Sequence, residues 1–167
     1  MCLKKNVSLP HKTVLITGAA GFIGANLVLQ LIRMGEPVTI VGFDNLNDYY
    51  DVSLKEYRLR EIEAAAAVNP LVTWIFVRGN LADKAAVEHL FESYRFQVVV
   101  NLAAQAGVRY SIDHPDVYME SNIIGFFISW RPAATGLWSI WCMHPAPAST
   151  APMKRSPIPP KTGWTIQ

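Results

Sequence analysis

The sequence predicts an α/β fold built on a doubly wound parallel sheet, and three features predict it. Short apolar runs alternate with segments of helical period. The runs are apolar without polar interruption, as strands covered on both faces are. A glycine-rich turn joins the first run to the first helix. Thr13 to Thr17 is the first strand, Phe22 to Met34 the first helix, and Gly35 is placed to cap its C-terminus. Val38 to Phe43 is the second strand. After a loop rich in Asp, Asn and Tyr, Ser53 with Glu56 reads as a capping box for a helix reaching about Ala67. Leu71 to Val77 is the third strand, and Asp83 caps a helix running to about Ser93. Val98 to Leu102 is the fourth strand, and a further helix starts near Pro115. Four strands leave the sheet incomplete, with a free edge.

The turn Thr17-Gly18-Ala19-Ala20-Gly21-Phe22-Ile23-Gly24 makes the fold Rossmann-type. Gly18 permits a sharp exit from the strand, Gly21 allows backbone to approach a pyrophosphate, and Gly24 lets helix pack closely on sheet. The phosphates would sit at the helix N-terminus, where free N–H groups and the macrodipole favour anions. Asp44 ends the next strand twenty residues after Gly24. A carboxylate there accepts hydrogen bonds from ribose hydroxyls and repels a 2′-phosphate, so the expected cofactor is NAD rather than NADP. The alternative role for Asp44 is to cap the loop into Asn45 and Asn47.

Composition narrows the function classes. With 51% apolar and 17% charged residues the chain reads as one globular domain, and a net charge of +2 without a basic stripe argues against nucleic acid. Cys2 and Cys142 form no metal-ligand spacing, so no metal site is expected. No segment has the length of a membrane span, and the N-terminus lacks the apolar run of a secretory signal; a cytoplasmic protein is expected.

Three strings are similar to the extended short-chain dehydrogenase/reductases, the NAD-dependent epimerase/dehydratase family, and within it to the UDP-glucuronate 4-epimerases. They are Thr17 to Gly24, the run from Gly42 through Asp44 and Asn45 to Asp51, and Asn101 to Ser111. The resemblance covers about residues 12 to 127. It implies that Phe22 and Ile23 offer N–H groups to the pyrophosphate, that Asp44 and Asn45 hold the adenosine ribose, and that Asn80 and Leu81 border the adenine. Leu102, Ala103, Ala104 and Gln105 would line the cofactor's middle, with Asn122 reaching in from the following helix. The family commonly has Asp at the position of Asn80. It also implies a nucleotide-sugar substrate, a hydride removed from the sugar to NAD, and its return to the opposite face; dehydratases share much of this half. Arg109 follows the fourth strand, where it either meets a substrate phosphate or carboxylate or lies on the surface.

The same chemistry needs a tyrosine followed four residues later by lysine, since the cation lowers the phenol's pKa. The positions four beyond the six tyrosines hold Ser53, Leu54, Glu61, Val98, His114 and Asn122. No catalytic residue is therefore assigned, and the chain is expected to bind without turnover. From Ile128 to Gln167 the sequence carries seven of eleven prolines, four of five tryptophans and no acid, so residues 1–127 read as the domain and 128–167 as an irregular tail. Read two nucleotides later, with synonymous codons chosen to suit, Ser139 to Ala151 becomes His-Leu-Val-Tyr-Ala-Ser-Ser-Ser-Ser-Ile-Tyr-Gly, a string similar to the family's next strand and its serines. The tail is thus expected to derive from a frameshift near the Phe127 codon. Sequencing the gene checks this: shifted-frame codons for that string and a Tyr-x-x-x-Lys pair shortly beyond codon 167 are expected, and their absence refutes it.

Overall fold

The computed structural model of the chain describes residues 8–135 and 140–143. Strand β1 (Lys12–Thr17) is followed by α1 (Phe22–Met34), β2 (Val38–Asp44), α2 (Val52–Ala67), β3 (Val72–Arg78), α3 (Lys84–Ser93) and β4 (Val98–Asn101). All strands pair in parallel, in the order β3-β2-β1-β4-β5, where β5 is Ile140–Met143. The chain steps outward from β1 to β2 to β3, then α3 carries it back across β1 to β4. Neighbouring crossovers thus diverge between β1 and β4, and their carboxyl ends open a crevice there.

Alternation along β1 explains why its run is apolar throughout. Val14 and Ile16 face one layer, with Val28, Leu31 and Ile32 of α1 and Ile62 of α2. Leu15 faces the other, with Val41, Phe43, Val87, Leu90, Phe96 and Val99. Helix ends follow local chemistry. Gly35 adopts φ 69° and returns its N–H to the Ile32 carbonyl, the left-handed cap that glycine adopts without strain. The Asp83 carboxylate accepts from Ala86 N–H at 3.0 Å, the cap expected from sequence.

Several elements differ from the sequence reading. Helix α2 starts at Val52 with Asp51 as its cap, in place of the Ser53–Glu56 box: the Asp51 carboxylate accepts from Ser53 N–H at 2.9 Å. Asp both caps well and favours the positive helix end, and the Ser53 hydroxyl and N–H hold its carboxyl below the usual range. Two short helices, α4 (Val108–Asp113) and α5 (Pro115–Tyr118), precede a π-helical segment (Met119–Gly125) and α6 (Phe126–Thr135). The expected helix at Pro115 is present; α4 was not expected, and it ends at His114 because the residue before proline is pushed out of helical conformation.

The four predicted strands form the sheet, and β5 adds a short fifth on the free edge of β4. Its sequence, Ile-Trp-Cys-Met, gives no alternation by which to read it. Composition places the domain boundary at 127, yet α6 runs through it: Ile128 packs against the Leu15 layer and Ser129 is fully buried, its hydroxyl donating to the Phe126 carbonyl. Residues 136–139 and 144–167 of the segment lie outside the described residues.

Leu15 is fully buried between both neighbouring strands and the α3 layer. Leu15→Ala is expected to cost about 2–5 kcal/mol in urea denaturation, the range for a leucine truncated in a close-packed core; a loss under about 1 kcal/mol would contradict the packing described.

Candidate functional site

Thr17 ends β1 at the crevice. It is fully buried, and its hydroxyl makes three hydrogen bonds: it donates to Asn101 Oδ1 at 2.6 Å and accepts from Leu102 and Ala103 N–H, each at 3.1 Å. One donor and two lone pairs exhaust a hydroxyl, so the ends of β1 and β4 are fixed together. The chain then turns at Gly18, with φ 68°. A Cβ on Gly18 would lie 2.8 Å from Ala103 N, and one on Gly24 would lie 2.1 Å from the Gly18 carbonyl oxygen. Backbone therefore packs on backbone through this turn. Gly21 caps α1 with no side-chain hydrogen bond. The first intrahelical bond runs from Ala25 N–H to Gly21, so the N–H groups of Phe22, Ile23 and Gly24 precede it. Both Phe22 and Ile23 side chains are exposed, which leaves the backbone as what these residues offer.

Asp44, 8% exposed, lies at the other side of the turn. One carboxylate oxygen accepts from Ala20 N–H at 3.1 Å and the other from Leu46 N–H at 2.9 Å. Of the roles expected of Asp44, the loop cap is seen, since the carboxylate ties the glycine turn to the Asn45–Asn47 loop; it also lines the crevice. The lining also includes Gly18, Gly21, Asn45, Asn80, Leu81 and Leu102 to Gln105. The Asn80 amide oxygen accepts from Ala82 N–H, so it serves the turn into α3 in addition to any ligand.

Five expected residues are outside the lining: Phe22, Ile23 and Gly24 at the start of α1, and two that stand farther along the chain, Asn122 and Arg109. Asn122, in the π-helical segment, does not line the crevice. Its amide accepts from Gln105 N–H at 2.7 Å and donates to the Gln105 carbonyl at 3.0 Å, so it clamps the backbone of a lining residue. Arg109 is exposed on α4 and outside the lining.

The sequence reading missed Thr17, Asn47, Tyr49 and Lys55. Lys55 is 7% exposed and lies on the face of α2 that buries Leu59 and Ile62, spacings of four and seven. A lysine on an apolar stripe was the available signal. Its Nζ donates to the carbonyl and side-chain oxygens of Asn47 at 2.9 and 2.6 Å. Tyr49, Tyr50, Tyr110 and Tyr118 cluster beside the crevice, and the Tyr118 hydroxyl shares its one proton between the Ala106 and Gly107 carbonyls. Burial first, then neighbouring phenols, raises the pKa of Tyr49 and Tyr118, opposite to what a phenolate base needs. Among the described residues no His, Cys, Asp and Glu group could hold a metal, and no helix is long and apolar enough to cross a membrane.

The crevice fits an elongated, partly anionic ligand. Glycines stand where a Cβ would block close approach, a helix N-terminus is left without a side-chain cap, and the Gln105 Nε2 is buried without a hydrogen-bond partner.

The family described as GDP-mannose 4,6 dehydratase matches residues 15–128. Protein CapI of Staphylococcus aureus is 47% identical over 113 residues, which is 68% of this chain and 31% of that protein. UDP-glucuronate 4-epimerase 3 of Arabidopsis thaliana is 45% identical over 114 residues, 68% of this chain and 24% of that protein. The chain thus spans a third or less of these relatives' length. The crystal structure of UDP-glucose-4-epimerase from Stenotrophomonas maltophila, with bound NAD and formylated UDP-arabinopyranose, superposes with a TM-score of 0.64 at 25% identity. It covers 80% of this chain and 36% of that one.

Gly24→Ala forces a methyl into the Gly18 carbonyl, where only backbone could yield. A loss of about 1–3 kcal/mol is expected on chemical denaturation, the usual cost of overpacking. A loss below about 0.5 kcal/mol would show that the turn is not packed as described.

Proposed function

The chain belongs to the family described as GDP-mannose 4,6 dehydratase, within the NAD-dependent epimerase/dehydratases, and we propose that it is the NAD-binding half of a nucleotide-sugar epimerase acting on UDP-glucuronate. The observation that carries this reading is the buried Asp44 carboxylate, anchored on the glycine turn at the carboxyl end of β2. Relatives named UDP-glucuronate 4-epimerase, 41–45% identical over this region, support the sugar.

In this reading the N–H groups at the start of α1 hold the pyrophosphate, and Asp44 and Asn45 take the adenosine ribose. Asn80 and Leu81 border the adenine. Leu102 to Gln105 line the cofactor's middle, with Asn122 fixing Gln105 from behind. Bound NAD supplies a hydride acceptor and donor for a sugar carbon. The residues of this chain bind and orient it. None of the tyrosines is followed at the fourth position by lysine, so these 167 residues bind cofactor and do not turn over. That absence favours a second reading, in which the product is a dinucleotide-binding remnant without catalytic function.

Titration of the purified chain with both dinucleotides tests the proposal. NAD is expected to bind more tightly than NADP, and Asp44→Asn to narrow the preference by about tenfold or more, since hydrogen bonds to a charged group contribute roughly 1.5–3 kcal/mol. Equal or stronger NADP binding by the unaltered chain would overturn it. Interconversion of UDP-glucuronate and UDP-galacturonate by this chain would overturn the lack of turnover.

A further inference from the structure

Lys55 is a buried cation with no carboxylate within ion-pair distance among the described residues. Its ammonium is satisfied by the two oxygens of Asn47, and that choice has a consequence. An ammonium only donates, so the Asn47 side chain must turn its oxygen toward Lys55 and its NH₂ away. The NH₂ then donates to Gln105 Oε1 at 3.3 Å. Gln105 must accept there, which leaves its own NH₂ on the opposite side. That Nε2 is buried and unpartnered, in a residue 4% exposed whose backbone Asn122 holds at both N–H and C=O. Asn47, Lys55 and Gln105 all line the crevice.

We propose that Lys55 is a positioning residue: acting through Asn47, it fixes which way round the Gln105 amide sits, so that a ligand whose binding uncovers this amide meets its NH₂, and a group that accepts, a carbonyl, carboxylate or phosphoryl oxygen, is selected. The polarity of one amide is set by a charge two side chains away. An unpartnered buried donor costs free energy until a ligand acceptor satisfies it, and an acceptor in its place would repel the same ligand group. The choice of probe below rests on the dinucleotide reading; the orientation of Gln105 does not.

Asn47→Asp tests the relay at nearly constant shape. The new carboxylate accepts on both sides, pairing with Lys55 and drawing the Gln105 NH₂ toward itself, so that Gln105 presents oxygen to the ligand. In ligand-free protein the Gln105 side-chain ¹H–¹⁵N resonance is expected to move downfield as the NH₂ gains a carboxylate partner; an unmoved resonance overturns the relay. NAD affinity is expected to fall about tenfold or more without a lower Tm, and the loss to vanish in a Gln105→Ala background, since coupled residues are non-additive. A loss that persists in that background, or no loss at all, overturns the proposal. Should Asn47→Asp fail to fold, Lys55→Met gives the same test, with weaker NAD binding expected only when Gln105 is present. A wild-type chain that fails to bind NAD would overturn the dinucleotide reading, while the resonance still decides the orientation.

Discussion

One hydroxyl holds the ligand end of this sheet together. Thr17 joins β1 to the start of the segment after β4 by three hydrogen bonds made in full burial. Because the hydroxyl has no further capacity, the gap between the two strand ends is fixed by chemistry as well as by the ladder. Gly18 then turns against Ala103, and Gly24 against Gly18, at distances no side chain would permit. The crevice is therefore walled on one side by backbone alone. Its donors are main-chain N–H groups at a helix start, and its acceptor is the Asp44 carboxylate.

That arrangement separates holding from chemistry. In the proposed reading the near wall, from Gly18 to Gly24, takes an anion on main-chain N–H groups, and Asp44 meets the ribose by hydrogen bonding. The far wall is a relay running from Lys55 through Asn47 and Gln105 to Asn122. It links α2 to the π-helical segment across the crevice, and segments of that kind concentrate at functional sites. Of the tyrosines beside it, Tyr49 and Tyr118 have their pKa raised, by burial first and then by neighbouring phenols.

The parts legible in the sequence were those dictated by local rules. Three strands, β1, β2 and β4, were readable because burial on both faces leaves them mostly apolar, and the partly buried β3 because its run is rich in β-branched and aromatic residues. Gly18, Gly21 and Gly24 were readable because of their close contacts with backbone. Asp83 and Gly35 announced helix ends through capping chemistry. The missed parts depend on partners distant in sequence. Lys55 is separated from Gln105 by fifty residues, and Asn122 declares its role only once Gln105 is seen beside it. Asp51 replaced Ser53 as the cap: the helix starts earlier, at Val52, and the ionised Asp51 carboxylate accepts from the N–H of Ser53, which lies inside the first turn. The fifth strand lies where composition had argued against regular structure, and Ser129 is buried beyond a boundary that composition had placed at 127.

The account's central claim is that one crevice, assembled from the ends of β1, β2 and β4, holds a dinucleotide along its length. Amide chemical-shift mapping of the ¹⁵N-labelled chain during NAD titration tests it most directly. The account predicts saturable shifts with one common affinity at Gly21 to Gly24, at Asp44 and Asn45, and at Leu102 to Gln105. Shifts confined to one of these segments, or centred elsewhere on the surface, would contradict it.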